Sequence, residues 1–199
     1  MTFWEKRDTD PRFTGPPPSK RIEQLRDTAG RIPSMTPAQQ QTLAGELAEG
    51  YRNEADPLLR VELVRTIAKC GSPQAGETLQ AAMRDSDGNV RVAACTGWAQ
   101  HRGPQAVPAL GEAIRKDADL EVRLAALRAL GRIPGEESVA AISPALEDSD
   151  PAMQYRAVQA LRELTGKDFG DDANAWREYA RGGNPKEISL VQRTKLDVF

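Results

Sequence analysis

Few residues in this sequence could carry covalent or acid–base chemistry. One histidine, His101, and two cysteines, Cys70 and Cys95, are its whole supply of imidazole and thiol. A working nucleophile needs a base within hydrogen-bond reach and a third group to orient that base. No Ser, Cys or Asp stands at such motif spacing from His101. His101 precedes Arg102-Gly103, near a helix end, where a protonated imidazole would suit the helix dipole. Cys70 and Cys95 form no CxxC pair, so reduced, buried thiols are expected rather than a zinc site or disulfide. Asp168, Asp171 and Asp172 lack the order and the closing Glu of a calcium loop and read as a solvated turn. No glycine-rich phosphate loop appears. The expectation is a protein that is not an enzyme, with no catalytic residue, no cofactor and no metal.

The residues that do recur with regular spacing are charged. Arg60, Arg91 and Arg123 each lie four residues after an aspartate, namely Asp56, Asp87 and Asp119. A fourth aspartate, Asp150, is followed at that spacing by Gln154. Each Asp directly precedes a helical pattern, where its carboxylate can cap free backbone N–H groups at the positive helix end. The Arg ladder could line a surface for acidic groups. In stacked repeats the preferred role is structural, each guanidinium fork bridging to the Asp of an adjacent unit.

These charges belong to longer copies. Asp87–Trp98 and Asp119–Leu130 share Asp, Val, Arg, an Ala pair and a large apolar residue, and looser copies begin at Asp56 and Asp150. Such a period signals stacked helical units, each too small to bury its own apolar face. Trp98 aligns with Ile67, Leu130 and Leu161, which places it in the core. Second helices follow from Ala75, Leu79, Ala82 and Met83, from Val107, Leu110, Ala113 and Ile114, and from Val139, Ile142 and Leu146. Gly71-Ser-Pro73, Gly103-Pro104, Gly131-Arg-Ile-Pro134 and Gly166 break them.

The Asp-x-x-Val-Arg-x-x-Ala cores at Asp87–Ala94 and Asp119–Ala126 resemble the short bacterial HEAT-like repeat, of the kind found in phycobilisome lyases. The resemblance covers about residues 36–182. It implies an all-α, right-handed α-solenoid with full units near 56–86, 87–118, 119–149 and 150–182. It also implies that second helices line a concave face, which here would hold Glu77, Gln80, Arg84, Gln105, Glu112, Arg115, Lys116, Glu136 and Glu137. These charges are mixed, which suits a protein or peptide ligand better than nucleic acid. The function expected is a protein–protein interaction scaffold or adaptor. The alternative implied by the resemblance is a bilin attachment factor or an enzyme-associated chaperone.

Three segments follow from composition. Residues 1–19 read as an extended Pro-rich arm, with Phe3, Trp4 and Phe13 as a lid on the array. Residues 20–182 form the array, and 183–199 a flexible tail ending in a docking segment with Val198 and Phe199. Within the array, Lys20–Arg31 reads as a short helix ending at Gly30. Thr36-Pro37-Ala38-Gln39 starts the second helix of an incomplete first unit. Trp176 and Tyr179 sit on a closing helix over Asn174–Arg181. The net charge of −2 gives no case for nucleic acid, and no apolar run is long enough to span a membrane. Without an apolar signal core the chain reads as a cytoplasmic monomer, as would an exported chain trimmed of its leader.

Overall fold

Pro18 opens the first of ten α-helices among residues 16–187, the part of the chain that the computed structural model describes. They are α1 Pro18–Arg31, α2 Pro37–Asn53, α3 Pro57–Ile67, α4 Pro73–Ala82, α5 Gly88–His101, α6 Ala106–Lys116, α7 Leu120–Leu130, α8 Glu136–Ile142, α9 Pro151–Thr165 and α10 Ala173–Ala180. Two 3-10 turns, Ile32–Ser34 and Ser143–Glu147, complete the regular structure, and no strand occurs among the described residues. The fold is all-α and of the α-solenoid class. No described helix is long and apolar enough to cross a membrane. The expectations for Phe3, Trp4, Phe13, Val198 and Phe199 fall outside the described residues.

The chain divides after Ala106 into two compact units. In the first, α3 lies between α1 and α5, while α2 and α4 pack beside it as a second layer. That position explains why buried residues spread over much of the circumference of α3. Leu59, Val61, Leu63, Val64 and Ile67 are all buried, as expected of a helix covered by neighbours on several faces. Leu25, Ile32 and Leu47 close the same core from α1, the first 3-10 turn and α2.

The start of the chain differs from the sequence expectation. Proline fits the first helical turn, where its missing N–H has no partner to lose. Helix α1 therefore begins at Pro18, inside the segment read as an arm, and Gly30 does not end it. Arg31 is still helical and the chain passes directly into the 3-10 turn. Helix α1 packs on α3, and α2 on α3 and α4. Thr36 caps α2 with a full capping box, its hydroxyl accepting from Gln39 N at 3.3 Å while Gln39 Oε1 accepts from Thr36 N at 2.8 Å.

In the second unit α7 packs on α9, with α8 against both and α10 closing on α9 and the second 3-10 turn. Leu127, Leu130, Ile142, Leu146, Met153 and Leu161 fill the core. Helix α8 stops at Ile142 because Pro144 has no N–H to continue it, so Leu146 reaches the core from the 3-10 turn. Gly131 lies where α7 and α9 approach backbone to backbone. A Cβ there would stand 3.0 Å from Ala160 Cα. The closing helix buries Trp176, whose Nε1 donates to Gly170 O at 2.8 Å and whose ring meets Phe169 edge-on at 4.8 Å.

Candidate functional site

The caps bind backbone, while Arg60 and Arg123 pair with a different acid. Asp56, Asp87, Asp119 and Asp150 each accept from the backbone N–H two residues on, at 2.8 to 2.9 Å. A second acid, two residues earlier, in turn accepts from each cap's own N–H at 2.9 Å: Glu54, Asp85, Asp117 and Asp148. Arg60 and Arg123 reach this second acid. Arg60 grips Asp85 with Nε at 2.9 Å and Nη2 at 2.8 Å, and Arg123 Nη1 lies 3.3 Å from Asp148. Arg21 pairs with Glu54 in the same way. Tyr51 adds its hydroxyl to Asp85 at 2.7 Å. Burial pushes the Asp85 carboxyl up, yet Arg60, the Asp87 N–H and Tyr51 together hold it below the usual carboxylate range.

Two of the ladder arginines, Arg60 and Arg91, also tie down backbone. Arg60 Nη1 donates to Ala55 O at 2.9 Å, and Arg91 Nη1 to Asp85 O at 2.9 Å. Gln154, which stands in the Arg position of the last copy, donates to Asp148 O at 2.7 Å. The amide keeps the backbone contact and gives up only the charge.

The second-helix residues lie on outward faces. In the first unit Glu77 on α4 and Arg84 just beyond it are exposed and Gln80 is half-buried, while Ala75, Leu79 and Ala82 of α4 are buried. Gln105 is exposed beside the loop that precedes α6. In the second unit Glu112 and Arg115 are exposed on α6, Glu112 within 3.2 Å of Lys116. Glu136 and Glu137 are exposed in the first turn of α8, where their charge suits the helix N-terminus.

The turn after Gly166 is pinned, not merely solvated. Arg162 reaches Asp168 at 3.2 Å and Asp171 at 3.1 Å, and Asp172 caps α10. Among the described residues no three acids, histidines or cysteines gather as a metal set. Cys70 and Cys95 are both buried, and burial raises the Cys70 thiol to about 11.

His101 does not play the part of a charged helix end. Its Nδ1 lies 3.2 Å from Cys70 O, which requires the proton on Nδ1 in the neutral ring. The ring sits 5.9 Å from that of Trp98, with Gly76 and Gly103 close beside it, where a Cβ would stand 3.3 Å and 3.0 Å from the imidazole. Burial lowers its pKa below the ordinary 6.5, against the weaker pull of the Cys70 carbonyl. The unfolded chain therefore takes up this proton first. The stability tied to neutral His101 is complete above about pH 6.5 and is lost as pH falls through the lower folded value. Thermal melting of the wild type should drop between pH 7 and 5. A His101→Gln variant, which keeps a donor but does not titrate, should show a flatter profile across that interval.

The geometry agrees with comparisons to known proteins. A model of HEAT repeats matches residues 45–126 and 107–175. The structure of human deoxyhypusine hydroxylase in complex with glycerol aligns at 22% identity with a TM-score of 0.56, over 62% of this chain and 44% of that one. This chain thus spans less than half of the hydroxylase. The complex of CpcE and CpcF of phycocyanin lyase from Nostoc sp. PCC7120 aligns at 22% identity with a TM-score of 0.52, over 82% of this chain and 71% of that one. At such identity both likenesses are of fold. No curated protein sequence matches the chain.

Proposed function

Because the chain belongs to the HEAT-repeat family, we propose that it is a non-enzymatic scaffold that binds a protein or peptide partner through the outward faces of its second helices. One observation carries this reading. Helix α4 buries Ala75, Leu79 and Ala82 and turns Glu77 outward, with Arg84 exposed just beyond its end. Within the other unit, α6 likewise buries Ala109, Leu110 and Ala113 and exposes Glu112 and Arg115. Mixed charge on a rigid helical surface favours a partner with complementary charges and loses little ordering entropy on binding. Stacked repeats supply that rigidity without a large single core. The likeness to phycocyanin lyase is to a complex of two chains, which supports a partnered role.

The test is a pull-down from native lysate with the wild type and a Glu77→Arg, Glu112→Arg, Glu136→Arg variant side by side. All three residues are exposed, so the variant should melt like the wild type, surface changes being worth roughly 0.5 kcal/mol or less. A specific partner captured by the wild type and lost by the folded variant is the expected result. Equal capture by both would overturn the second-helix reading.

A further inference from the structure

A groove of about 400 Å³ opens over the first-layer helices of the first unit, lined by residues of α1, α3 and α5 and by Ala68 and Lys69 just beyond α3. Small residues set its floor: Ala29 from α1, Ala68 after α3 and Gly97 from α5. Gly97 lets α5 pack closely. A Cβ there would stand 2.6 Å from Leu79 Cδ2 and 3.1 Å from Ala68 Cβ. Bringing α5 in this close leaves the depression above it.

The walls are charged unevenly. Glu62 is the only acid among the lining residues, against Arg26, Arg65 and Lys69. Its carboxylate lies underneath, with its side chain 10% exposed, while those of Arg26 and Arg65 are 66% and 57% exposed. Glu62 Oε1 accepts from Arg26 Nη2 at 3.1 Å and from Arg65 Nη1 at 2.9 Å. Lys69 Nζ adds a contact to Ala29 O at 3.4 Å. One buried carboxylate thus fixes two guanidinium groups by one edge each. A guanidinium has five N–H donors in a planar fork, so the opposite edges remain available above the groove.

We infer that this groove binds an acidic segment of a partner protein, its carboxylates held by Arg26, Arg65 and Lys69. A structural ion pair needs one cation for Glu62. The groove has three, an excess of positive charge on a chain whose net charge is −2. A guanidinium with an open edge matches a carboxylate bidentately. Glu62 has a positioning role, since it holds both forks in place before any ligand arrives. Nucleic acid is the weaker fit, because phosphate binding is built from many cations along a backbone and only three line this groove. The site lies on the first-layer helices, so it stands or falls separately from the second-helix reading.

The experiment is a fluorescence anisotropy titration of the full chain with labelled deca-glutamate. Deca-glutamine and a ten-nucleotide oligothymidylate serve as comparison probes. Saturable, salt-sensitive binding of deca-glutamate alone is expected. Substituting Arg65 would leave the buried Glu62 carboxylate with Arg26 and disturb how both forks are held, so the decisive variants are at Gln100, which is exposed and lines the groove. Gln100→Glu should weaken deca-glutamate binding about fivefold and Gln100→Lys should strengthen it by a similar factor, as one added charge at a binding rim does. Both variants should melt like the wild type. Absence of saturable binding at about 1 mM would overturn the proposal. So would identical affinity of the two Gln100 variants, or tighter binding of the oligothymidylate.

Discussion

Asp85→Ala is expected to destabilise the first unit by about 3–5 kcal/mol, the range for breaking a buried, hydrogen-bonded ion pair from one side. Four donors converge on this carboxylate: Arg60 Nε and Nη2, the Tyr51 hydroxyl and the Asp87 N–H. The pair is largely covered, with Asp85 6% and Arg60 15% exposed, so solvent screens it little. Removing the acid leaves a cation and a phenol without their acceptor and loosens the entry to α5. Removing both charges should cost less, because the desolvation penalty of Arg60 disappears with it. The measurement is a double-mutant cycle of Asp85→Ala and Arg60→Met by urea unfolding, followed through tryptophan fluorescence. The Asp85→Ala single variant should be the least stable member. A single-variant loss under about 1 kcal/mol, the worth of an exposed pair, would show that this network is a surface feature.

The same network shows what the sequence could and could not disclose. The period was legible because Asp, Arg and the Ala pair recur at matching places in two copies, with looser copies on either side, and the HEAT-repeat match spans that region. The ion-pair partner was hidden because it is 25 residues from its arginine and two from a more conspicuous aspartate. Capping explains Asp87 by itself, so nothing in the sequence points to Asp85 as a second acid. Gln154 looked like a lost arginine. Its bond to Asp148 O shows that what recurs is a side-chain donor for a backbone carbonyl, a role that Gln and Arg share. Pro18 was assigned to the arm because three consecutive prolines suggest an extended chain. Only the last of them is inside the helix. The groove over the first-layer helices was not legible at all, since Arg26, Glu62 and Gln100 lie on three helices and meet only after stacking.

Trp98→Ala should cost about as much as Asp85→Ala, roughly 3–5 kcal/mol for deleting a fully buried aromatic side chain. Trp98 is wholly buried, and its ring passes within 3.7 Å of where a Gly76 Cβ would stand and 3.4 Å of where a Gly103 Cβ would. Those two glycines leave the space that a flat indole fills, while the aligned residues Ile67, Leu130 and Leu161 are smaller. An opposing effect limits the loss. The indole Nε1–H is buried with no hydrogen-bond partner among the described residues, and such a group carries a penalty of about 1–3 kcal/mol. Trp98→Phe removes that donor and leaves a smaller cavity, so it should cost far less than the alanine variant. The ring of His101 leans on Trp98, so the alanine variant should also open His101 to water. Its pKa should then return toward 6.5, and the loss of stability between pH 7 and 5 should shrink. Denaturant unfolding of both variants at pH 7 and pH 5 reads both effects. If Trp98→Phe proves as costly as Trp98→Ala, the indole N–H has a favourable role and the packing argument fails. If the pH profile of Trp98→Ala matches the wild type, burial against this ring is not what keeps His101 neutral.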